Sequence, residues 1–145
     1  MPKVTCTSQS PETTRALGKS WAEELRAGMV IGLKGDLGAG KTELVKGIAA
    51  GLRITARIHS PTFNLINIYP GPKYPLYHLD LYRLNSPEEI IGAGLEEYLV
   101  APNGVTVVEW IERWLPSNAA GPIRLVEFEI INPDQRRITY EDFGA

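Results

Sequence analysis

A glycine-rich segment, Gly35 to Thr42, constrains this chain more than any other feature. It reads G-D-L-G-A-G-K-T. It matches the pattern G-x-x-x-x-G-K-[ST], which is typical of the phosphate-binding loop of nucleoside-triphosphate-binding proteins. Gly35, Gly38 and Gly40 allow the backbone to curl so that successive N–H groups point at phosphate oxygens. The segment therefore predicts a loop that holds phosphate groups at the start of a helix.

The residues on either side of this segment fit that interpretation. Met29 to Lys34 is a short, mostly apolar run that is typical of a buried strand. Leu44, Ile48 and Leu52 follow the loop at helical spacing and predict a helix that ends near Leu52. A strand, the loop and a helix in this order are the context that the motif requires.

The side chains and backbone of the loop predict the contacts to a nucleotide. The Lys41 ammonium group can reach the β- and γ-phosphates, and the Thr42 hydroxyl can bind Mg²⁺. The predicted nucleotide-binding residues of the loop are Asp36, Leu37, Gly38, Ala39, Gly40, Lys41, Thr42 and Glu43.

The rest of the chain predicts a mixed sheet. The predicted strands cover residues 4–7, 63–69, 74–82, 105–109, 123–131 and 137–140, with hairpins around Pro70-Gly71-Pro72 and Asn132-Pro-Asp-Gln. One predicted helix begins at Ser10-Pro11 and ends at Gly28. A second begins at Ser86-Pro87, is broken at Gly92 or Gly94, and ends near Val100. A helical turn is predicted over residues 110–115. Because the order of elements includes two hairpins, it departs from a simple βαβ alternation. The sheet should therefore contain both parallel and antiparallel strands.

The composition limits the class of protein. The 145 residues fit one domain over 1–145, and 43% apolar with 22% charged residues is ordinary for a globular chain. A net charge of −2 argues against an extended electrostatic grip on nucleic acid. Cys6 is the single cysteine, and we find no apolar stretch of membrane-spanning length and no secretory signal. We therefore expect a cytoplasmic protein without contact to a membrane.

Two acidic residues are candidates to complete a triphosphate site. Glu109 ends the apolar run that begins at Val105 and could hold Mg²⁺, although a strand-end glutamate in solvent is the alternative. Strand alternation puts His78, Asp80 and Tyr82 on one face, and Asp80 could orient a water molecule or accept its proton. The alternative for these three residues is the solvated face of a hairpin.

Other positions carry weaker signals. Ser60 and Thr62 flank Pro61 and could sense the γ-phosphate, or they could serve local turn chemistry. Trp110 is a core residue or a ring that stacks on a base. His59 and His78 do not predict a metal cluster. Four arginines could supply a transition-state finger, although an arginine more often lies on the solvated surface: Arg53, Arg57, Arg83 and Arg113.

Four motifs together resemble those of the TsaE family, formerly called YjeE, the small ATPase of bacterial tRNA threonylcarbamoyladenosine synthesis. They are the loop at 35–42, Ser-Pro-Thr-Phe at 60–63, His-Leu-Asp-Leu-Tyr-Arg at 78–83 and Val-Glu-Trp at 108–110. The resemblance covers roughly residues 10 to 115 and fades in the last part of the chain. It implies an α/β fold: a three-layer P-loop NTPase-like domain with a mixed central sheet flanked by helices.

The resemblance also implies a function and partners. Members bind ATP with Mg²⁺, hydrolyse it slowly and work with TsaB and TsaD. TsaD transfers threonylcarbamoyl to adenosine 37 of tRNAs that read codons beginning with A, so contact with tRNA is expected to be indirect.

The resemblance assigns a role to each matching residue. Lys41 and the loop amides hold phosphates, and Thr42 and Glu109 hold Mg²⁺. Asp80 serves hydrolysis. The switch-like segment contains Ser60 and Thr62, and Trp110 lies beside the nucleotide.

One residue departs from the family pattern. The family usually continues Gly-Lys-Thr with Thr or Ser, whose hydroxyl can touch the α-phosphate, but this chain has Glu43. A carboxylate cannot donate that hydrogen bond, so we expect Glu43 to turn outward and to leave only its backbone N–H in use.

Three other functions remain open at this point. A small-molecule kinase would need an arginine-rich lid, and a GTP-controlled switch would normally carry an Asn-Lys-x-Asp motif; neither is found. The third alternative is an interaction module that needs nucleotide only to fold.

Overall fold

The computed structural model describes residues 3–35, 40–61, 63–115 and 121–144. Within these ranges the strands are β1 (Val4–Ser8), β2 (Val30–Lys34), β3 (Ile66–Tyr69), β4 (Leu76–Asp80), β5 (Val105–Glu109), β6 (Ile123–Asn132) and β7 (Gln135–Phe143). The helices are α1 (Pro11–Trp21), α2 (Lys41–Gly51), α3 (Pro87–Gly92) and α4 (Glu96–Leu99), and a 3₁₀ turn covers Ile111–Arg113.

The strands form one mixed sheet in the order β1-β7-β6-β2-β5-β4-β3. β2 lies between β6 and β5 and is parallel to both, and β4 is parallel to β5. The pairs β1–β7, β6–β7 and β3–β4 are antiparallel, so both predicted hairpins and the predicted mixed sheet are confirmed. The parallel strands β2, β5 and β4 therefore end at one edge of the sheet, where open α/β sheets bind ligands.

Helices cover both faces of the sheet. On one face, Leu33 of β2 and Val107 of β5 belong to the same buried cluster as Ile48 of α2. On the other face, Val108 of β5 belongs to a second cluster with Leu99 of α4. Because successive strand residues point to opposite faces, β2 and β5 are buried along almost their whole length. The predicted three-layer, P-loop NTPase-like α/β fold is confirmed.

Helix α1 begins as predicted but ends early. The Ser10 side chain accepts a hydrogen bond from the Thr13 N–H at 3.1 Å and caps the helix. The helix ends at Trp21, so the predicted end at Gly28 was wrong. Leu25 is nevertheless fully buried, because turns after the helix return its side chain to the core. Apolar spacing alone could not distinguish those turns from another helical turn.

The hairpin strands β3 and β4 are shorter than predicted. The strand expected from Phe63 begins only at Ile66, because the chain first makes a turn and Leu65 adopts a φ of 68°. The strand expected over 74–82 is limited to β4, and Tyr82 follows its end.

The predicted starts of the later elements are confirmed. Ser86 caps α3 by accepting a hydrogen bond from the Glu89 N–H at 3.2 Å. β5 covers the predicted residues, and the predicted helical turn is the 3₁₀ turn that follows it. Among the described residues, no helix has the length and apolar character that crossing a membrane requires.

Candidate functional site

The glycine-rich segment lies between β2 and α2, as the motif requires. Gly35 follows β2 with a φ of 142°, and Gly40 precedes α2 with a φ of 96°. Residues that carry a Cβ atom rarely adopt these backbone conformations, so glycine is needed at both positions. The predicted phosphate contacts of Asp36, Leu37, Gly38 and Ala39 lie outside the described residues.

Lys41 is buried at the start of α2 and points back toward the loop. The residue is only 4% exposed. The Nζ group donates a hydrogen bond to the Gly35 carbonyl oxygen at 2.7 Å and lies 5.0 Å from the centre of the Trp110 ring. The ammonium ion is therefore held beside the loop backbone, at the helix end where the helix dipole favours an anion.

Asp80 and Glu109 meet at the same edge of the sheet. β4 and β5 pair in parallel with Asp80 opposite Glu109, and both residues are 6% exposed. The alternatives of a solvated hairpin face and a strand-end glutamate in solvent are therefore wrong. Tyr82, predicted to share this face, follows the strand and is 49% exposed.

The Asp80 carboxyl group has a raised pKa. Burial is the main cause, and the nearby Glu109 carboxylate adds to it. The Tyr82 N–H donates a hydrogen bond to Oδ1 at 3.0 Å and opposes the rise in pKa, as do the electrostatic interactions with Lys41 and His78. A carboxyl group with a raised pKa is better suited to accept a proton than an ordinary exposed aspartate.

The sequence placed His78 on the face of Asp80, but its contact with Glu109 was not predicted. Its side chain is completely buried, and Nε2 lies 2.7 Å from Glu109 Oε2. Nδ1 has no hydrogen-bond partner among the described residues. The available signal was its position two residues before Asp80, which puts both side chains on the face that meets Glu109.

The segment around Pro61 is linked to Asp80 through the backbone. The Pro61 carbonyl oxygen accepts a hydrogen bond from the Leu65 N–H at 2.9 Å. The Leu65 carbonyl oxygen in turn accepts one from the Asp80 N–H, also at 2.9 Å. Ser60 is exposed at the start of this segment, and Thr62 lies outside the described residues. A change at Ser60–Pro61 can therefore reach the backbone of Asp80.

Trp110 is half-buried beside the loop rather than enclosed in the core. It follows Glu109 directly and has a φ of 62°, a left-handed conformation that is uncommon for a bulky residue. Its ring lies 5.0 Å from the Tyr82 ring and 5.5 Å from the Arg113 guanidinium group, measured between centres. The backbone strain thus accompanies a ring that lies beside Tyr82, Lys41 and Arg113.

Glu43 is directed toward α1. Its Oε2 lies 2.5 Å from Arg15 Nη1, and its Oε1 lies 3.5 Å from Lys46 Nζ. The carboxylate of this unusual residue is therefore paired with two cations.

A cavity of about 250 Å³ opens beside the start of α2. It is lined by Gln9, Ser10, Pro11, Thr14, Gly40, Glu43, Pro133, Asp134 and Arg136. It extends from the loop to the β6–β7 turn, a contact between distant parts of the chain that no local pattern predicts. A cavity of about 480 Å³ lies at the other end of α1 and α2, next to Arg53 and Lys73, away from the two buried acids.

Two side chains at this edge carry oxygen atoms of the kind that a small hard cation binds. No group of three or more His, Cys, Asp or Glu side chains that could hold a metal occurs in the described ranges. Thr42 and Glu109 supply a hydroxyl and a carboxylate oxygen at neighbouring element ends. Mg²⁺ commonly binds to one or two such protein oxygens and completes its shell with phosphate and water oxygens, so these residues fit that ion.

Comparisons with known proteins connect the chain to one family. A family model described as "Threonylcarbamoyl adenosine biosynthesis protein TsaE" matches residues 8–138. The chain is 53% identical to a tRNA threonylcarbamoyladenosine biosynthesis protein TsaE of Nostoc over 70% of the chain and 64% of that protein. It is 41% identical to the protein of the same name from Bacillus subtilis over 93% and 83%.

A solved structure extends the comparison to the fold. The crystal structure of YdiB from Bacillus subtilis matches 96% of this chain and 84% of its own, with a TM-score of 0.78 and 34% identity. In sequence, this chain spans slightly less than two thirds of the length of the Nostoc protein and 62% of the length of a TsaE protein from Synechocystis. Because the family model covers most of the chain and the relatives and the solved structure agree with it, the chain belongs to the TsaE family, whose members are named for tRNA threonylcarbamoyladenosine biosynthesis.

Proposed function

We propose that this protein is a Mg²⁺-dependent ATPase that supports threonylcarbamoylation of adenosine 37 in tRNAs that read codons beginning with A. The observation that carries the proposal is the meeting of Lys41, Asp80 and Glu109 at the N-terminus of α2. One buried cation and two buried acids beside a glycine-rich loop are the parts that phosphoryl transfer to water needs.

The loop amides and Lys41 bind the triphosphate in this proposal. Lys41 exchanges its bond to the Gly35 carbonyl for the β- and γ-phosphate oxygens. The cavity beside Gly40 and Glu43 receives the nucleoside, since it lies at the start of α2, where the α-phosphate end of the ligand would emerge. Glu43 contributes its backbone N–H, and Trp110 lies beside the bound nucleotide.

Thr42 and Glu109 hold Mg²⁺, which would neutralise charge on the β- and γ-phosphates when bound. Asp80 accepts a proton from the attacking water as the water oxygen bonds to the γ-phosphorus. The bond between that phosphorus and the β–γ bridging oxygen breaks, and ADP leaves. Ser60 and Thr62 belong to a segment that responds to the γ-phosphate, and its link through Leu65 to Asp80 supports this role.

The protein acts as an accessory to TsaB and TsaD and does not itself transfer the threonylcarbamoyl group. A net charge of −2 favours contact with tRNA through that complex rather than directly. We infer that hydrolysis is slow, as the resemblance to the family implies.

Reconstitution with TsaB, TsaD, an activated threonylcarbamoyl donor and unmodified tRNA tests the proposal. ATP should be hydrolysed only with Mg²⁺, and modified adenosine should accumulate over several turnovers only when this protein is present. Multiple turnovers without it would contradict the accessory role. If Asp80→Asn abolished hydrolysis and left modification intact, the protein would be a nucleotide-dependent interaction module instead.

A further inference from the structure

The first turn of α2 carries a negative side chain where an anionic ligand is expected. Glu43 directly follows the Lys41-Thr42 pair and lines the cavity next to Gly40. Its side chain is 25% exposed, so water screens its charge only in part. A carboxylate near the α-phosphate end of a nucleotide would repel it.

The structure places a cation from a different helix on this carboxylate. Arg15 Nη1 of α1 lies 2.5 Å from Glu43 Oε2, which is a charge-assisted hydrogen bond. Arg15 also lies 3.5 Å from Glu12, on the exposed side of α1. The second partner of Glu43, Lys46, is more distant at 3.5 Å. Arg15 is therefore the main group that neutralises Glu43.

Close packing of the helix backbones holds Arg15 at this position. A Cβ atom placed on Gly47 of α2 would lie 2.0 Å from the Arg15 carbonyl oxygen. The absence of that Cβ lets α1 approach α2 at the level of Arg15, one turn from Glu43. The guanidinium group thus spans a short, fixed gap and does not have to reach from a mobile segment.

We propose that Arg15 is a positioning residue for nucleotide binding: it neutralises Glu43 and draws its carboxylate toward α1, away from the phosphate path. The inference rests on the proposed binding of ATP by the loop. Its distinctive consequence is conditional, because Arg15 matters for the nucleotide only while residue 43 is acidic. A residue that merely stabilised the α1–α2 contact would not show this dependence.

A double-mutant cycle read by calorimetric titration of ATP in EDTA tests the proposal. In low salt, Arg15→Ala should weaken ATP binding about fivefold, and 0.5 M salt should reduce the loss. Glu43→Thr should bind ATP at least as tightly as wild type. Arg15→Ala combined with Glu43→Thr should bind like Glu43→Thr alone. Arg15→Lys should bind close to wild type.

Two controls separate charge from folding. Arg15→Met keeps an aliphatic side chain of similar length without the charge. It should weaken ATP binding as Arg15→Ala does, with a melting temperature near that of wild type. Arg137→Ala removes a guanidinium group that pairs with Glu129 on the β6–β7 hairpin and should leave ATP affinity unchanged.

The outcomes distinguish this inference from the function on which it rests. The role of Arg15 would be overturned if Arg15→Ala lowered ATP affinity equally in the wild-type and the Glu43→Thr background. It would also be overturned if Arg15→Ala did not lower ATP affinity at all. Failure of wild-type protein to bind ATP would instead overturn the proposed function.

Discussion

His78 and Glu109 form a buried pair, with His78 Nε2 2.7 Å from Glu109 Oε2. The two residues come from adjacent parallel strands, β4 and β5, and His78 has no exposed surface. The imidazole fixes one oxygen of a carboxylate that lies at the ligand-binding edge of the sheet and leaves the other oxygen available. A buried carboxylate that lost this partner would be strongly unfavourable.

Replacing His78 with Leu should therefore destabilise the protein by about 2–3 kcal/mol, since Glu109 would remain buried without its partner. Urea denaturation followed by circular dichroism measures the change. The double variant His78→Leu/Glu109→Leu should recover part of the loss, because no carboxylate remains. A single variant as stable as wild type would show that the pair contributes little.

Lys41→Ala should weaken binding of ATP by about tenfold or more, because it removes the buried ammonium group beside the loop. Calorimetric titration measures the affinity. Lys73→Ala is the control, since Lys73 lies beside the cavity at the other end of α1 and α2, away from the loop. Unchanged affinity in Lys41→Ala would count against its role at the phosphates.

Glu109→Ala should lower ATP affinity more in the presence of Mg²⁺ than in EDTA, because the carboxylate is proposed to act through the ion. Titrations under both conditions give the ratio. Glu112→Ala, an exposed acid in the following 3₁₀ turn, should leave both affinities unchanged. Equal losses with and without Mg²⁺ would remove Glu109 from the metal site.

Asp80→Asn should reduce ATP hydrolysis by about 100-fold or more and should raise the stability of the ligand-free protein at neutral pH by about 1 kcal/mol. The pKa of Asp80 is raised above its ordinary value of 3.8, mainly by burial. The folded protein therefore holds the proton at pH values where the unfolded chain has released it, and wild type loses stability as pH rises through that window.

The stabilisation by Asp80→Asn should accordingly be absent below about pH 3.8 and grow above it, since Asn has no proton to release. Urea midpoints measured from pH 3 to 8 provide the profile. The Asn side chain can still accept the hydrogen bond from the Tyr82 N–H. If the free energy of unfolding of Asp80→Asn did not rise relative to that of wild type above pH 4, burial would not be the cause of the raised pKa of Asp80.

Gly47→Ala should destabilise the protein by about 2–3 kcal/mol, because the added Cβ would lie 2.0 Å from the Arg15 carbonyl oxygen and force α1 and α2 apart. Thermal unfolding measures the effect. Gly92→Ala in α3 is the control: its Cβ would have nothing within 4 Å, so its stability should be unchanged or slightly higher. Similar stabilities for the two variants would contradict the close approach of the helices.

The local parts of the fold could be predicted because each depends on a short pattern. The order of β2, loop and α2 follows from the glycines and their apolar flanks, and the bounds of β5 follow from one apolar run. The end of α1 could not be predicted, since Leu25 has helical spacing but is buried by turns.

The site could be predicted only as separate residues. Lys41, Asp80 and Glu109 were each found from motif or strand position, but their proximity depends on the order of β2, β5 and β4 in the sheet. The contact of His78 with Glu109 depends on strand register, and that of Arg15 with Glu43 depends on the packing of α1 against α2. Such long-range contacts have no signature in local spacing.

A crystal structure with Mg²⁺ and a non-hydrolysable ATP analogue tests the central claim most directly. The account predicts the triphosphate at the start of α2, Lys41 Nζ moved from the Gly35 carbonyl to the phosphate oxygens, and the metal beside Thr42 and Glu109. An empty loop at saturating ligand, or a triphosphate bound away from α2, would contradict it.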